Sequence, residues 1–156
     1  MPGEADELAS IISLCRGNSA FLRELAGILE LAGHRMEDQG FRCMGGGGCC
    51  KFDLADFRLF LSTGELALLS AQPAPTPLNL RLGRCPYQVG PRCAAHGARP
   101  LGCRIHFCDS RASSSMSDGY EQSHLAIRRL HGESRLPYRY GELVSSLILL
   151  GSIESR

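Results

Sequence analysis

Cys43, Cys49 and Cys50 stand at the two ends of a glycine arch, Gly45-Gly46-Gly47-Gly48, and Cys85, Cys93, Cys103 and Cys108 follow it. Of the eight cysteines, only Cys15 lies outside this run. Thiolates are soft and charged, and four of them satisfy a tetrahedral zinc or the irons of a cluster. Glycines between thiols allow positive φ and tight folding, and their amides can donate to thiolate sulfurs. Cys49 and Cys50 are adjacent, so in extended backbone their side chains diverge and serve two metals, or one metal and the core. The later intervals, Cys85-x7-Cys93-x9-Cys103-x4-Cys108, contain no tight zinc knuckle. Arg84, Arg92, Arg99 and Arg104 flank these thiols, and cations there lower thiolate pKa values and offset a negative centre. His96 and His106 are reserve ligands, read first as structural side chains.

The elements that must position these thiols fit one domain: 156 residues bury a real core without reaching two. Seventeen Lys and Arg against sixteen Asp and Glu give a net charge of +1, so no global field selects nucleic acid or anionic lipid. The acidic start Met1-Pro2-Gly3-Glu4-Ala5-Asp6-Glu7 lacks the basic flank and apolar run of a signal peptide, and a cytoplasmic location is expected. In that reducing compartment clustered cysteines read as metal ligands or redox groups before disulfides.

Leu8, Ile11, Ile12 and Cys15 recur at helical spacing before a break at Gly17-Asn18, which makes Cys15 a small buried hydrophobe. Ser19 is a candidate cap for a second helix with the stripe Phe21, Leu22, Leu25, Ile28, Leu29, Ala32 and Met36, ending near Gln39-Gly40. His34 falls among polar residues and reads as a surface histidine. Alternation of Phe57, Leu59 and Leu61 predicts a strand over 58–61, and Ser62-Thr63-Gly64-Glu65 matches a capping box opening a helix to about Ala71. Pro73, Pro75 and Pro77 exclude helix and predict an extended strap.

From Leu78 to Cys108 the chain is rich in Gly, Pro, Arg and Cys and cannot build a conventional core, so metal coordination is the expected substitute. Residues 111–119 read as a loop, 120–131 as a helix, and 140–153 as a helical tail that docks on its own core in preference to a second subunit. The expected organisation is α+β and mostly helical with short strands: N-terminal helices over 1–40, a cysteine-cluster domain over 41–140 and a helical tail over 141–156.

Both cysteine segments resemble the YkgJ-like cysteine-cluster family, described as a zinc- or iron-chelating domain and often labelled iron-sulfur. Its first motif, Phe-x-Cys-x2-Cys-Gly-x-Cys-Cys followed by a strand and a Thr/Ser-x-x-Glu-Leu helix start, is similar to Phe41 through Leu69. Its second motif is similar to Cys93 through Cys108, which contains Arg99-Pro100 and Cys103-Arg104-Ile105-His106-Phe107-Cys108. Cys85-Pro86 resembles an intervening cysteine, and Leu130-His131 with Pro137-Tyr138-Arg139-Tyr140 is similar to the family's C-terminal segment. Two positions depart from the pattern: Gly46 stands where the family has its second cysteine, and Cys103-x4-Cys108 is one residue longer. Loss of that thiol leaves either a site open to water, substrate or histidine, or a decayed second site.

The resemblance implies an iron-sulfur cluster or zinc held by Cys43, Cys49, Cys50, Cys85, Cys93, Cys103 and Cys108, with a redox or electron-transfer role or a structural, protein-binding one. It extends to a domain of flagellin lysine methylases, which implies a cluster-dependent modifying enzyme as an alternative. Against an enzyme, the chain shows no nucleotide fingerprint and no clear acid/base pair. Metal-free thiol redox chemistry lacks its C-x-x-C helix start. On this reading Cys50→Ser or Cys103→Ser destabilises the fold and Cys15→Ser does not.

Overall fold

A computed structural model describes residues 3–40, 58–105 and 113–154. The apolar spacing near the N-terminus yields α1 (Glu4–Arg16), which buries Ala5, Leu8, Ile11, Ile12 and Cys15 and carries Glu4, Asp6 and Glu7 in its first turn, where the helix dipole favours negative charge. Asn18, not Ser19, caps α2 (Ser19–Asp38): its Oδ1 accepts the Phe21 amide at 3.0 Å, and Ser19 is already helical. The α2 stripe buries Phe21, Leu25, Leu29, Ala32 and Met36, with Leu22 and Ile28 at its margins. The helix stops at Gln39, and Gly40 follows with φ +87°.

β1 (Phe60–Ser62) begins later than expected, although the alternation holds in burial, with Leu59 and Leu61 inside and Phe60 42% exposed. Ser62 caps α3 (Thr63–Ser70) through the anticipated capping box with Glu65. Pro77 does not exclude helix as expected. It opens a 3-10 turn, Pro77–Leu82, at the first position, where a missing N–H costs nothing, and Gly83 ends the turn at φ +72°. Then come β2 (Gln88–Val89), β3 (Arg92–Cys93), a 3-10 turn at His96–Ala98 and the short helix α4 (Leu101–Ile105).

α5 (Ser113–Glu133) takes in residues 113–119, which composition had marked as a loop. Ser and Gly disfavour helix by only about 0.5–1 kcal/mol each, and Met116 and Tyr120 gain packing against the core. The tail likewise differs in its first turn: Tyr140–Glu142 is a strand, β4, and α6 (Leu143–Glu154) starts after it. β4 pairs antiparallel with β1 in the register Phe60 with Glu142, Leu61 with Gly141 and Ser62 with Tyr140.

The result is a mostly helical α+β domain, with two small two-stranded sheets among the described residues. α2 packs against α5 and α4, while α1 packs against α3 and α6. Among the described residues no helix is long and apolar enough to cross a membrane. The halves meet at the start of α3, where Gly64 lies beneath an edge-to-face pair of Phe21 and His131 rings 4.9 Å apart. A Cβ on Gly64 would sit 2.7 Å from Phe21 Cζ and 2.8 Å from His131 Nε2. Gly64→Ala is therefore expected to destabilise the chain by about 1–3 kcal/mol through overpacking, read as a lower urea midpoint with an unchanged slope.

Candidate metal centre

Of the eight cysteines, Cys15, Cys85, Cys93 and Cys103 fall within the described residues, and none of the four is in a disulfide. Cys43, Cys49, Cys50 and Cys108 lie outside them, as do the glycine arch with Gly46 and the reserve ligand His106. Cys15 is fully enclosed, and burial pushes its thiol up to about 11. That is the core role its spacing predicted. The enclosure corrects one expectation, because the hydroxyl of Cys15→Ser would be buried in an apolar site at a cost of about 1–3 kcal/mol. Cys15→Ala is the cleaner control.

Cys85 sits in a turn held by side chains from the preceding 3-10 segment. Its carbonyl accepts from Asn79 Nδ2 at 3.0 Å and from the Gln88 amide at 3.4 Å. The Thr76 hydroxyl donates to the Pro86 carbonyl at 2.7 Å, and the Thr76 amide reaches the same oxygen at 3.0 Å. Tyr87, nearly buried, donates its hydroxyl to Gln72 at 3.1 Å, so the proline strap is stitched to this turn. The chain then doubles back through β2 and β3, where Cys93 pairs with Gln88 and Ala94 donates to Tyr87 at 2.7 Å. Cys85 thus lies in the turn before the first arm of this hairpin and Cys93 on its second arm, Cys85 buried and Cys93 partly exposed.

Cys103 is carried by α4. Arg104 folds back on the approach to that helix, donating Nε to the Arg99 carbonyl at 2.7 Å and an Nη to that of Gly97 at 2.8 Å. His96, a reserve ligand, is exposed on its 3-10 turn, and its pKa is lowered first by the charge of Arg99, then by burial and by Arg104. His34 is exposed on α2, as expected. Among the described residues no three His, Cys, Asp or Glu side chains gather closely enough to hold a metal ion. Cys85, Cys93 and Cys103 therefore do not make a site among themselves, and a complete one needs donors from beyond the described residues.

Two polar groups next to this region have long-range partners that the sequence reading did not supply. Glu65 is 2% exposed, and its Oε2 accepts from the Ser62 amide and hydroxyl at 2.7 Å each. Its Oε1 accepts the Leu101 amide at 2.8 Å, across to α4. Burial pushes this carboxyl's pKa up, while the bonds from Ser62 and Leu101 and the charge of Arg104 pull against it. The capping box identified Glu65, but its second partner is distant in sequence. His131 is 1% exposed, its Nδ1 3.3 Å from the Leu136 carbonyl and its Nε2 without a hydrogen-bond partner among the described residues. Beside it, the Tyr138 hydroxyl and His124 Nε2 share a hydrogen bond at 2.6 Å, and the Tyr120 and Tyr140 hydroxyls meet. The only sequence signal for this group was the resemblance over residues 130–140.

The chain has no match among protein-family models, curated proteins or solved structures.

Burial lowers the pKa of both His131 and His124, with the Arg128 charge adding to the effect at His124. Between that lowered value and the usual value of about 6.5, the unfolded chain binds protons that the folded chain refuses, so stability falls as pH drops through the window. The urea midpoint is expected to decline from pH 7 towards pH 5.5, and His131→Asn, which keeps a donor near the Nδ1 position, should flatten that decline.

Proposed function

We propose that this chain is a cytoplasmic metal-binding protein in which Cys43, Cys49, Cys50, Cys85, Cys93, Cys103 and Cys108 coordinate an iron-sulfur cluster or zinc. The observation that carries this reading is the contrast among the described thiols. The isolated Cys15 is sealed in apolar core on a 13-residue helix, whereas Cys85, also buried, and the partly exposed Cys93 and Cys103 lie outside the long helices, on a turn, on a two-residue strand and in α4. A turn and a single hairpin are marginal in water on their own. A bound metal stabilises such a segment through the free energy of coordination.

The donor set fits either group. Thiolates with flanking arginines suit a negatively charged cluster, and four thiolates alone close a tetrahedral zinc site. A cluster would supply one-electron chemistry; zinc would supply rigidity and a surface for a protein partner. The short elements around Cys85 and Cys93 are equally what a structural zinc module requires, and that is the second reading. A cluster-dependent protein-modifying enzyme is a third, and it rests on the resemblance alone.

Anaerobic purification followed by metal and sulfide analysis and a visible spectrum decides among them. A coloured protein with iron and sulfide is expected for a cluster, and a colourless one with zinc for the structural site. Metal-free, folded protein with reactive thiols would remove both. Cys103→Ser is expected to lose metal and stability together, whereas Cys15→Ala retains wild-type metal content; equal metal content in the two variants would contradict the assignment.

A further inference from the structure

α4 is described over Leu101–Ile105, and the contacts of these residues fix how this part of the helix sits on the domain. Leu101 and Ile105 bury one face, at 0% and 2% exposure. Gly102 presses directly on Leu59, whose Cδ1 a Cβ would strike. Cys103 follows Leu101 by two residues, about 200° around the helix, so a rotation of α4 moves its thiol directly. Apolar contacts permit such rotation because they have no preferred direction. The bond from the Leu101 amide to Glu65 Oε1 at 2.8 Å is directional and shielded from water. Glu65 is itself held by two donors from Ser62 at 2.7 Å each, which ties the carboxylate to the β1 ladder.

We infer that Glu65 is a positioning residue for the metal centre: its Oε1, through the Leu101 amide, sets the orientation of α4 and with it the direction in which Cys103 presents its thiol. The inference rests on the metal-binding reading above. Partners that orient a ligand without touching the metal commonly change affinity by about 10–100-fold when altered.

Two substitutions separate this role from general support of the fold. Glu65→Asp keeps the charge and can still reach back to the Ser62 amide, but it shortens the reach towards Leu101. Ser62→Ala removes one donor to the same carboxylate and leaves the Leu101 bond in place. Each full-length variant is stripped of metal and titrated anaerobically with Co2+, whose thiolate charge-transfer band grows with the number of thiolates bound, and amide hydrogen exchange is followed at Leu101.

Glu65→Asp is expected to fold, to lose at least about tenfold of Leu101 protection, to bind Co2+ about 10–100-fold more weakly, and to lose the band share of one thiolate, about a quarter in a four-thiolate site. Adding Cys103→Ser should reduce that band no further. Ser62→Ala should lower Tm while retaining the full band. If Glu65→Asp does not fold, Glu65→Gln replaces it with the same expectations, its oxygen serving Ser62 and its NH2 group facing the Leu101 N–H. A full wild-type band, or undiminished Leu101 protection, in the folded variant overturns the inference alone. A wild-type chain that gives no thiolate-Co2+ band overturns the metal reading and this inference with it.

Discussion

A carboxylate enclosed by protein, with three donors aimed at it, is the constraint to which the rest of this structure answers. Glu65 is the third residue of α3, and its oxygens join the end of β1, the start of α3 and the start of α4. Taking such a polar group out of water is costly, and its hydrogen bonds offset that cost only when their geometry holds. The surroundings are therefore committed to keeping Ser62 and Leu101 in place. Ser62 stays because β1 pairs with β4, and Leu101 stays because its side chain and that of Ile105 fill the core.

Around this point the two halves of the molecule have different physical character. The helical half, α1, α2, α3 and α5, is held by apolar stripes of ordinary kind. The half from Pro77 to Ile105 has short turns and strands stitched by Thr76, Asn79, Tyr87 and Arg104 through side-chain bonds to backbone carbonyls. Such bonds contribute about 1 kcal/mol each, so this half gains order from specific polar contacts and from its attachment to the helices. All the clustered thiols that the structure describes belong to it.

What the amino-acid pattern disclosed follows the range of the interactions. The α2 stripe, the burial of Cys15 and the Ser62–Glu65 capping box depend on residues at most a few positions apart, and all three were legible. Helix at residues 113–119 was not, because Met116 and Tyr120 find their partners across the domain and tertiary packing overrides weak Ser and Gly propensities. α4 was hidden for the same reason, inside a Gly-, Pro- and Arg-rich stretch whose helical turn is held by Glu65 from afar. The cysteine set was conspicuous by type and spacing, but which thiols converge is a long-range fact that spacing alone does not fix.

The β1–β4 ladder joins Phe60 to Glu142 and encloses everything between them, and the Thr63 hydroxyl and amide reach Pro137 and Arg139 at 3.0 and 2.9 Å to close the same seam. Closure entropy grows only with the logarithm of the enclosed length, so ten extra residues in the exposed strap near Pro73 and Pro75 would cost the ladder about 0.1 kcal/mol. The seam is thus nearly indifferent to how much chain it encircles. A frame of this kind lets the enclosed loops lengthen, shorten or change their spacing while the helices stay as they are, which gives the cysteine-bearing turns freedom to diverge without renegotiating the fold.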